Sequence, residues 1–261
     1  MIERIIRLNR DFSKDYIVIH TPKVYDYLTD RKNILKAFVK DKQFLSKIDL
    51  FIYQSISKNN RFSEILNTED LKTLLNNKCE NVNILNLYFT GYFPQMKENE
   101  KNLGMDVHQS GFFPYGDKYV DQLIEGGMRD GEDILKILMD ENFLSEDVIE
   151  DNVKESLKEL SKREKVCDVK IVDYIECNYR KEQLFYSCNH PNETLLNEYV
   201  RRILEYLGYK EQYISEKDII MRCESLKGQD IPIYPAVVKC LGLNKYEKTF
   251  YPNRYMYESF L

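Results

Sequence analysis

The sequence predicts a helix-rich α/β fold, with a small parallel sheet flanked by helices. Three observations support this prediction: short β-prone apolar runs alternate with amphipathic segments, 261 residues can bury a full core, and only 10 Gly and 7 Pro interrupt the chain. Strands that alternate with helices are typical of a parallel sheet whose faces are covered by helices. We therefore expect residues 1–261 to form a single α/β domain.

Three predicted strands lie in the first third of the chain. Each is a short apolar run that ends in polar or turn-forming residues: Ile17–Ile19, Leu50–Tyr53 and Val82–Phe89. The chain opens on an amphipathic helix, because Ile2, Ile5 and Ile6 fall on one helical face. A second helix is predicted over Ile34–Phe44, and a third follows Thr68, whose hydroxyl can cap it.

The middle of the chain is loop-like and then helical. Residues 93–117 carry three glycines and two prolines, which is typical of a loop. Residues 118–165 show a helical period with dense charge of both signs, which is typical of solvated helix faces. We expect this segment to be a helical insertion in the domain. A further helix is predicted over Val169–Arg180.

A strand-to-helix junction follows. The β-prone run Leu184–Tyr186 leads into Asn189–Pro191, where the proline stops the strand. Asn192 or Thr194 can then cap the next helix. That helix is expected to stop at Gly208.

Composition and charge exclude several classes of function. The net charge is -5, the isoelectric point is about 5.5 and no basic block stands out, which argues against nucleic acid and anionic membranes as partners. No signal peptide is visible, and the longest apolar runs are too short to span a bilayer. The six cysteines form no Cys-x-x-Cys pair and no zinc-ligand spacing, which predicts reduced thiols, no metal site and a cytoplasmic protein.

His190 is the main candidate for catalysis. It is one of three histidines and stands directly before a predicted helix. A fixed backbone with an exposed imidazole suits a general base, and Asn189 could orient that imidazole or a substrate carbonyl. Alternatively, His190 fills a hydrogen-bonding niche beside the helix end. Cys188 lies two positions earlier on the predicted extended segment, so its thiol either shares a face with the imidazole or packs as a small buried hydrophobe.

Further candidates lie at the predicted carboxyl ends of parallel strands, where α/β proteins bind ligands. Gln54 could donate its amide to a developing oxyanion, or it is a turn residue bonded to its own backbone. Tyr88 and Tyr92 flank a Thr-Gly pair, and their rings could stack on an aromatic base or a sugar. Gly91 would let a ligand approach the backbone closely. The alternatives are core packing for Tyr88 and a simple surface position for Tyr92.

A last group of candidates suits a phosphate. Gly116 and Lys118 could present backbone amides and an ammonium to it, although the segment lacks the spacing of a Walker loop. The alternative is an ordinary turn in which Asp117 caps the helix. Arg180 could also meet a phosphate or remain a surface charge, and His108 is expected to be a solvated loop residue.

Three segments, taken in order, carry a resemblance to known proteins: Asp49–Gln54, Asn86–Pro94, and Asn189–Pro191 with its helix. Together they resemble the WcbI family of capsular-polysaccharide biosynthesis proteins, which are coenzyme A-binding sugar acetyltransferases. The segment Ile231–Pro235, which two prolines keep extended, is also similar, and the resemblance runs from about Phe12 onward. More distantly, the Asn-His-Pro element is similar to the histidine block of SGNH-type esterases and acetyltransferases, which implies an SGNH-like or flavodoxin-like outline.

The resemblance implies transfer of an acetyl group from acetyl-coenzyme A to a sugar hydroxyl in polysaccharide biosynthesis. It implies that His190 takes the hydroxyl proton or activates a cysteine, and that Gln54 and Asn189 orient the acyl carbonyl or the histidine. Tyrosines would frame the pocket. Two other functions stay open: a carbohydrate esterase of SGNH-like architecture, and a non-catalytic binding protein.

The start of the chain departs from the family. Members that resemble this chain begin with a strand and a Gly-Asn-Cys-Gln turn, which supplies the presumed active-site cysteine and which is absent here. The helix predicted from Met1 is similar to the helix that would follow that turn. We therefore expect either a truncated or misassigned start, or a protein that lacks the turn, and in both cases an incomplete catalytic site.

Overall fold

The computed structural model of the protein describes residues 1–20, 37–38, 40–56, 67–96, 116–210, 212, 214–223 and 231–243. Its helices and strands are, in chain order, α1 (Ile2–Ile6), α2 (Arg10–Asp15), α3 (Lys42–Leu45), β1 (Leu50–Gln54), α4 (Thr68–Lys72), β2 (Glu80–Ile84), α5 (Lys118–Glu125), α6 (Gly131–Leu138), α7 (Glu146–Glu164), α8 (Val172–Asn178), β3 (Phe185–Ser187), β4 (His190–Pro191), α9 (Glu193–Tyr206), α10 (Glu216–Cys223) and α11 (Pro235–Leu241).

Backbone contacts divide the chain into two compact units. Unit 1 comprises Met1–Asn86, Arg163–Ile171 and Asn197–Arg222. Unit 2 comprises Leu87–Lys162, Val172–Leu196 and Cys223–Leu261. The single domain expected from the sequence, with its insertion at 118–165, stays a prediction.

A small parallel sheet lies in unit 1. β1 and β2 pair in parallel, with Ile52 opposite Val82 and Gln54 opposite Ile84. Ile84 also forms a parallel bridge with Val169, which extends the pairing by one position. The predicted helix-rich α/β class with a small parallel sheet is therefore confirmed, whereas its SGNH-like or flavodoxin-like outline stays a prediction.

The predicted strand Ile17–Ile19 is wrong. Residues 16–20 have an irregular backbone, and Ile17 and Ile19 expose 92% and 57% of their surface. A three-residue apolar run forms a strand only when a neighbouring strand pairs with it and a core covers one face. Val18 instead accepts a hydrogen bond at its carbonyl from the Arg7 side chain, at 2.6 Å.

Two other predicted elements differ in detail. The predicted strand Val82–Phe89 ends at Ile84, and residues 85–90 are irregular. In the predicted helix Ile34–Phe44, residues 34–36 and 39 lie outside the described residues, while 37, 38 and 40 are helical. Asp41 is a non-helical cap, and α3 begins after it and ends at Leu45.

The cap of α4 is one residue earlier than the sequence predicts. Asn67 has extended backbone angles, φ -103° and ψ 143°, and its Oδ1 accepts from the Asp70 N–H at 2.8 Å. Thr68 already belongs to the helix, so its hydroxyl does not face the free amides of the first turn. That hydroxyl accepts from the Ile56 N–H at 2.7 Å instead.

A buried tyrosine organises the end of β2. Tyr199 on α9 is fully buried, and its hydroxyl accepts a hydrogen bond from the Leu85 N–H in the same unit. Burial raises the pKa of this phenol, which keeps it neutral. Nearby, Asp168 accepts from the Asn83 N–H at 2.6 Å and donates its own N–H to the Asn83 carbonyl at 2.9 Å. These bonds satisfy polar backbone where the regular ladder stops.

Helices α5, α6 and α7 occupy the predicted helical segment at 118–165. Asp117 caps α5 as the alternative interpretation has it, because its Oδ1 accepts from the N–H groups of Tyr119 and Val120 at 3.0 and 3.1 Å. α9 is followed by Gly208, whose φ of +81° lies in the left-handed region that favours glycine. Across the residues that the structure describes, no helix has both the length and the apolar character needed to cross a membrane.

Candidate functional site

The candidate site is built on the hairpin of β3 and β4, in unit 2. The strands pair antiparallel and are joined by the two-residue turn Cys188–Asn189. This turn places Ser187 directly opposite His190. Side chains that stand opposite each other in an antiparallel pair lie on one face, with Cβ atoms about 4.5–5.5 Å apart. The hairpin therefore brings a hydroxyl and an imidazole together over four consecutive residues.

Two backbone hydrogen bonds anchor this hairpin to other segments of unit 2. The register shifts between Phe185 and Ser187, so Tyr186 is the extra residue of a β-bulge, and its carbonyl accepts from the Ile231 N–H at 2.8 Å. The carbonyl of Cys188 accepts from the Phe89 N–H at 2.7 Å. This last bond ties the turn to the segment that follows the parallel sheet in sequence. The backbone around the imidazole is consequently well fixed.

The hairpin also leads directly into α9. The N–H of Asn192 donates to the Leu184 carbonyl at 2.8 Å, and the Asn192 side chain accepts from the Leu195 N–H at 2.8 Å. The predicted cap is thus confirmed for Asn192. The candidate histidine stands two residues before the capping residue.

The imidazole of His190 is half-buried and held at one nitrogen. Its Nδ1 lies 2.7 Å from Ser187 Oγ, and the same Oγ lies 3.2 Å from Asn189 Oδ1. Burial lowers the pKa of His190, because desolvation disfavours the charged ring. Within the described part of the chain, Nε2 has no hydrogen-bond partner. A neutral imidazole with one nitrogen fixed and the other available is the chemistry that a general base requires.

Ser187 is the residue of this site that sequence reasoning missed, whereas the sequence left Cys188 either on the face of His190 or packed as a small hydrophobe. The extended segment assumed for Cys188 is a turn, so the thiol is not carried on the strand face of His190. Cys188 is fully buried, as the packing alternative has it. The available signal was the spacing Ser-x-x-His, because residues flanking a two-residue hairpin turn face each other.

The aromatic candidates separate into one exposed and one buried ring. Tyr88 exposes 37% of its surface, so the core-packing alternative is wrong. Tyr92 is fully buried, and its hydroxyl, which has one hydrogen to donate, lies 2.5 and 3.0 Å from the carbonyl oxygens of Tyr179 and Glu182. The expected surface position of Tyr92 is therefore wrong, and a completely buried ring offers no face on which a base or a sugar stacks.

The absence of a side chain at Gly91 leaves room for the Phe89 ring. A Cβ atom at this position would lie 2.2 Å from Cζ of Phe89. The space that was expected to admit a ligand is thus filled by the Phe89 ring, which also packs edge-on against Tyr92 with centroids 5.1 Å apart. The glycine allows a close approach, as expected, but the approach is that of a side chain within the unit.

Near α5, part of the predicted phosphate site is already bonded to other groups of the protein. Gly116 has a left-handed φ of +66°, and Lys118 lies with its ammonium 5.1 Å from the centroid of the Tyr119 ring. The amides of the first helical turn are bound to the Asp117 carboxylate, which also accepts from the Tyr234 hydroxyl. The expectation that these amides receive a phosphate needs correction, because a fixed carboxylate already neutralises this helix end. The ammonium of Lys118 remains as the candidate contact.

Arg180, Gln54 and His108 are the remaining candidates from the sequence. The Arg180 guanidinium pairs with Glu150 at 2.5 Å and lies 5.3 Å from the ring centroid of Tyr179. Gln54 ends β1 in unit 1, where its amide donates to the Leu85 carbonyl at 3.5 Å rather than to its own backbone. The other predicted site residues belong to unit 2, so a shared site with Gln54 stays a prediction. His108 lies outside the described residues.

Comparisons with known proteins agree with the resemblance seen in the sequence. Residues 6–212 match the model of a family described as the polysaccharide biosynthesis enzyme WcbI. Among solved structures, the chain is similar to WcbI, described as a novel polysaccharide biosynthesis enzyme and solved as native protein without a disulfide bond between coenzyme A and one of its cysteines. That match has 20% sequence identity and a TM-score of 0.75, and it covers 99% of this chain and 84% of that chain. No curated protein matches the chain.

At 20% identity the structural match shows a shared fold. The family model, in contrast, spans well over half of the chain, from residue 6 to residue 212. The chain therefore belongs to the WcbI family of polysaccharide biosynthesis enzymes.

Proposed function

We propose that the protein transfers an acetyl group from acetyl-coenzyme A to a sugar hydroxyl during polysaccharide biosynthesis, in the cytoplasm. Membership of the family supports the role in polysaccharide biosynthesis, and the description of the similar solved structure with coenzyme A supports the donor. The observation that carries the proposal is the His190 imidazole, which is held at Nδ1 by Ser187 and kept neutral by burial. Free thiols at five described cysteines are consistent with a reducing compartment.

In the proposed reaction Nε2 of His190 accepts the proton of the sugar hydroxyl. The hydroxyl oxygen then forms a bond to the acetyl carbon, the carbon–sulfur bond breaks, and the thiol leaves with the proton. Positioned proton transfer of this kind contributes typically about a hundredfold to ten-thousandfold in rate. A lowered pKa favours the reaction at neutral pH, because the ring is unprotonated before the sugar binds. If a cysteine serves as nucleophile instead, the same Nε2 would take the thiol proton.

The described residues fit coenzyme A in part. The coenzyme presents an adenine, several phosphates and a flexible thiol arm. The exposed ring of Tyr88 suits the adenine, and the ammonium of Lys118 suits a phosphate. Arg180 is paired with Glu150 and would have to exchange that partner for a phosphate. We therefore propose Tyr88 and Lys118 as the coenzyme contacts, and Asn189 as an exposed amide beside the reacting atoms.

A serine next to a histidine also occurs in esterases, but Ser187 does not suit that role. Its side chain is fully buried, so a glycan ester has no access to Oγ. The hydroxyl lies behind the imidazole, on the Nδ1 side, whereas a serine nucleophile must lie between the base and the substrate. The geometry thus favours a reaction in which His190 itself faces the incoming hydroxyl.

The proposal is tested by calorimetric titration with coenzyme A and by thiol release from acetyl-coenzyme A in the presence of monosaccharide and oligosaccharide acceptors. His190→Ala is expected to lower turnover about a hundredfold to ten-thousandfold while leaving coenzyme A affinity nearly intact. His20→Ala, at an exposed histidine, is the matched control and should keep the parent rate.

Three outcomes would decide against acetyl transfer. A parent protein that neither binds coenzyme A nor releases thiol removes the acetyl donor from the proposal. Release of acetate from an acetylated glycan without coenzyme A would support the esterase, and glycan binding without either reaction would support the binding protein. A His190→Ala variant that turns over at the parent rate would show that the histidine is structural.

A further inference from the structure

The hydroxyl of Ser187 lies between an amide oxygen and an imidazole nitrogen. Its Oγ is 3.2 Å from Asn189 Oδ1 and 2.7 Å from His190 Nδ1. A serine hydroxyl carries one hydrogen and can donate only one hydrogen bond, while its lone pairs accept others. A carbonyl oxygen only accepts. If the serine hydrogen goes to Asn189, the bond between Oγ and Nδ1 therefore requires a hydrogen on Nδ1.

We infer that Asn189 and Ser187 form a hydrogen-bond relay that holds His190 in the tautomer with its hydrogen on Nδ1 and its lone pair on Nε2. In this relay Nδ1–H donates to Ser187 Oγ, and the Ser187 hydroxyl donates to Asn189 Oδ1. The catalytic meaning of the relay rests on the proposed function, because a base needs its lone pair on the nitrogen that faces the substrate. The tautomer itself is a property of the protein without any ligand.

Burial and backbone geometry both support the relay. Ser187 is fully buried, so water does not compete for its hydroxyl hydrogen as it does at the surface. The two-residue turn sets Ser187 opposite His190, and the Phe89 N–H fixes the Cys188 carbonyl within that turn. A neutral imidazole bonded at Nδ1 to an acceptor keeps one orientation and one tautomer. Ser187 and Asn189 thus act through His190 and are positioning residues.

The tautomer is measured by long-range ¹H–¹⁵N NMR of the histidine rings in the full chain, slightly above neutral pH. The chain has three histidines, and His190→Gln identifies the resonances of this one. We expect a protonated Nδ1 and an unprotonated Nε2 in the parent. Ser187→Ala removes the acceptor for Nδ1–H and should move the hydrogen to Nε2.

Conservative variants separate the relay from packing. Ser187→Thr keeps the hydroxyl and should keep the Nδ1–H tautomer. Asn189→Asp offers only acceptor oxygens and should keep it as well. Ser161→Ala, at an exposed serine whose hydroxyl donates to the Leu157 carbonyl, is the control and should leave the His190 resonances unchanged.

A hydrogen on Nε2 in the parent overturns the relay, and so does a doubly protonated ring or an unchanged tautomer in Ser187→Ala. Thermal unfolding identifies a variant that does not fold, in which case Ser187→Thr and Asn189→Asp still test the relay. In the thiol-release assay, the turnover of Ser187→Ala should fall by much of the roughly hundredfold to ten-thousandfold that the base contributes. The affinity for coenzyme A should change little. The expected tautomer without transfer contradicts only the proposed function; transfer with the other tautomer contradicts only the relay.

Discussion

Gly91→Ala is expected to destabilise unit 2, because the ring of Phe89 occupies the place of the new methyl group. The added Cβ would lie 2.2, 2.7 and 2.8 Å from three atoms of that ring. Carbon atoms pack best about 3.5–4.0 Å apart, so the ring has to move by about 1.3–1.8 Å. Phe89 is fully buried, and Gly91 is buried as well, so no open solvent lies beside them.

The cost follows from what such a movement disturbs. Overpacking in a dense core costs typically about 1–3 kcal/mol. Phe89 also pairs with Tyr92 and Phe185 at centroid distances of 5.1 and 5.4 Å, and aromatic pairs are each worth about 0.5–1.5 kcal/mol beyond burial. Partial loss of these pairs gives an expected total of about 2–4 kcal/mol. For a chain of this size, 1 kcal/mol corresponds to a shift in melting temperature of about 2–4 °C.

Urea unfolding followed by circular dichroism and tyrosine fluorescence measures the effect, since the chain has 20 tyrosines and no tryptophan. Phe89→Leu removes the ring atoms that meet the new methyl group. In that background Gly91→Ala should cost less, by a coupling energy of about 0.5–3 kcal/mol. Gly126→Ala is the control, because its nearest neighbours are helix carbonyl oxygens at 3.2 and 3.4 Å rather than a ring.

An equal cost of Gly91→Ala in both backgrounds would refute the steric argument. A stable Gly91→Ala variant with weakened coenzyme A binding would return the glycine to the role first expected from the sequence, which is to admit a ligand to the backbone.

Three further predictions concern buried polar groups. Tyr199→Phe leaves a buried backbone N–H without its acceptor and should lower the unfolding free energy in urea by about 1–3 kcal/mol, whereas Tyr206→Phe, at a half-exposed tyrosine of the same helix, should stay within about 0.5 kcal/mol. Asp117→Ala removes a helix cap and the acceptor of the buried Tyr234 hydroxyl, so it should lower the unfolding free energy more than Asp130→Ala does. Asp130→Ala removes only an exposed cap, worth about 1 kcal/mol. Equal losses in the two variants would contradict this. Burial lowers the pKa of His190 from 6.5, so as the pH falls below 6.5 the unfolded chain binds the proton before the folded chain does. The unfolding free energy of the parent should therefore fall with pH in this range, and His190→Gln should remove this part of the fall. An unchanged pH profile in that variant would argue against the lowered pKa.

The parallel sheet was predictable because its strands combine apolar composition with polar ends. Leu50–Gln54 and Glu80–Ile84 pair as the pattern indicates. Ile17–Ile19 shows the same local pattern and forms no strand, because local composition does not report whether a partner strand lies beside it. The end of the second strand was also misplaced, since Tyr199 supplies the partner for the Leu85 N–H from a distant part of the sequence.

Ligand roles inferred for aromatic and glycine residues were the least reliable part of the site. Tyr92 and Gly91 belong to one buried cluster with Phe89, and their sequence neighbourhood is the same for core packing as for a ligand pocket. A tyrosine hydroxyl that donates to a backbone carbonyl tolerates full burial, which the polarity of the residue alone does not suggest. Tyr88, four residues away, is the one that stays exposed.

The sequence proposes His190 as a candidate, but the contact with Ser187 depends on a turn that the sequence pattern does not predict. Two-residue hairpin turns usually contain glycine, and Cys188–Asn189 has none, so the segment resembled one extended strand ended by Pro191. In the structure that proline belongs to the short second strand of the hairpin. The turn converts a sequence separation of three into a direct contact between Ser187 and His190. The orientation of the imidazole therefore depends on four consecutive residues, while burial lowers its pKa and so favours the neutral ring.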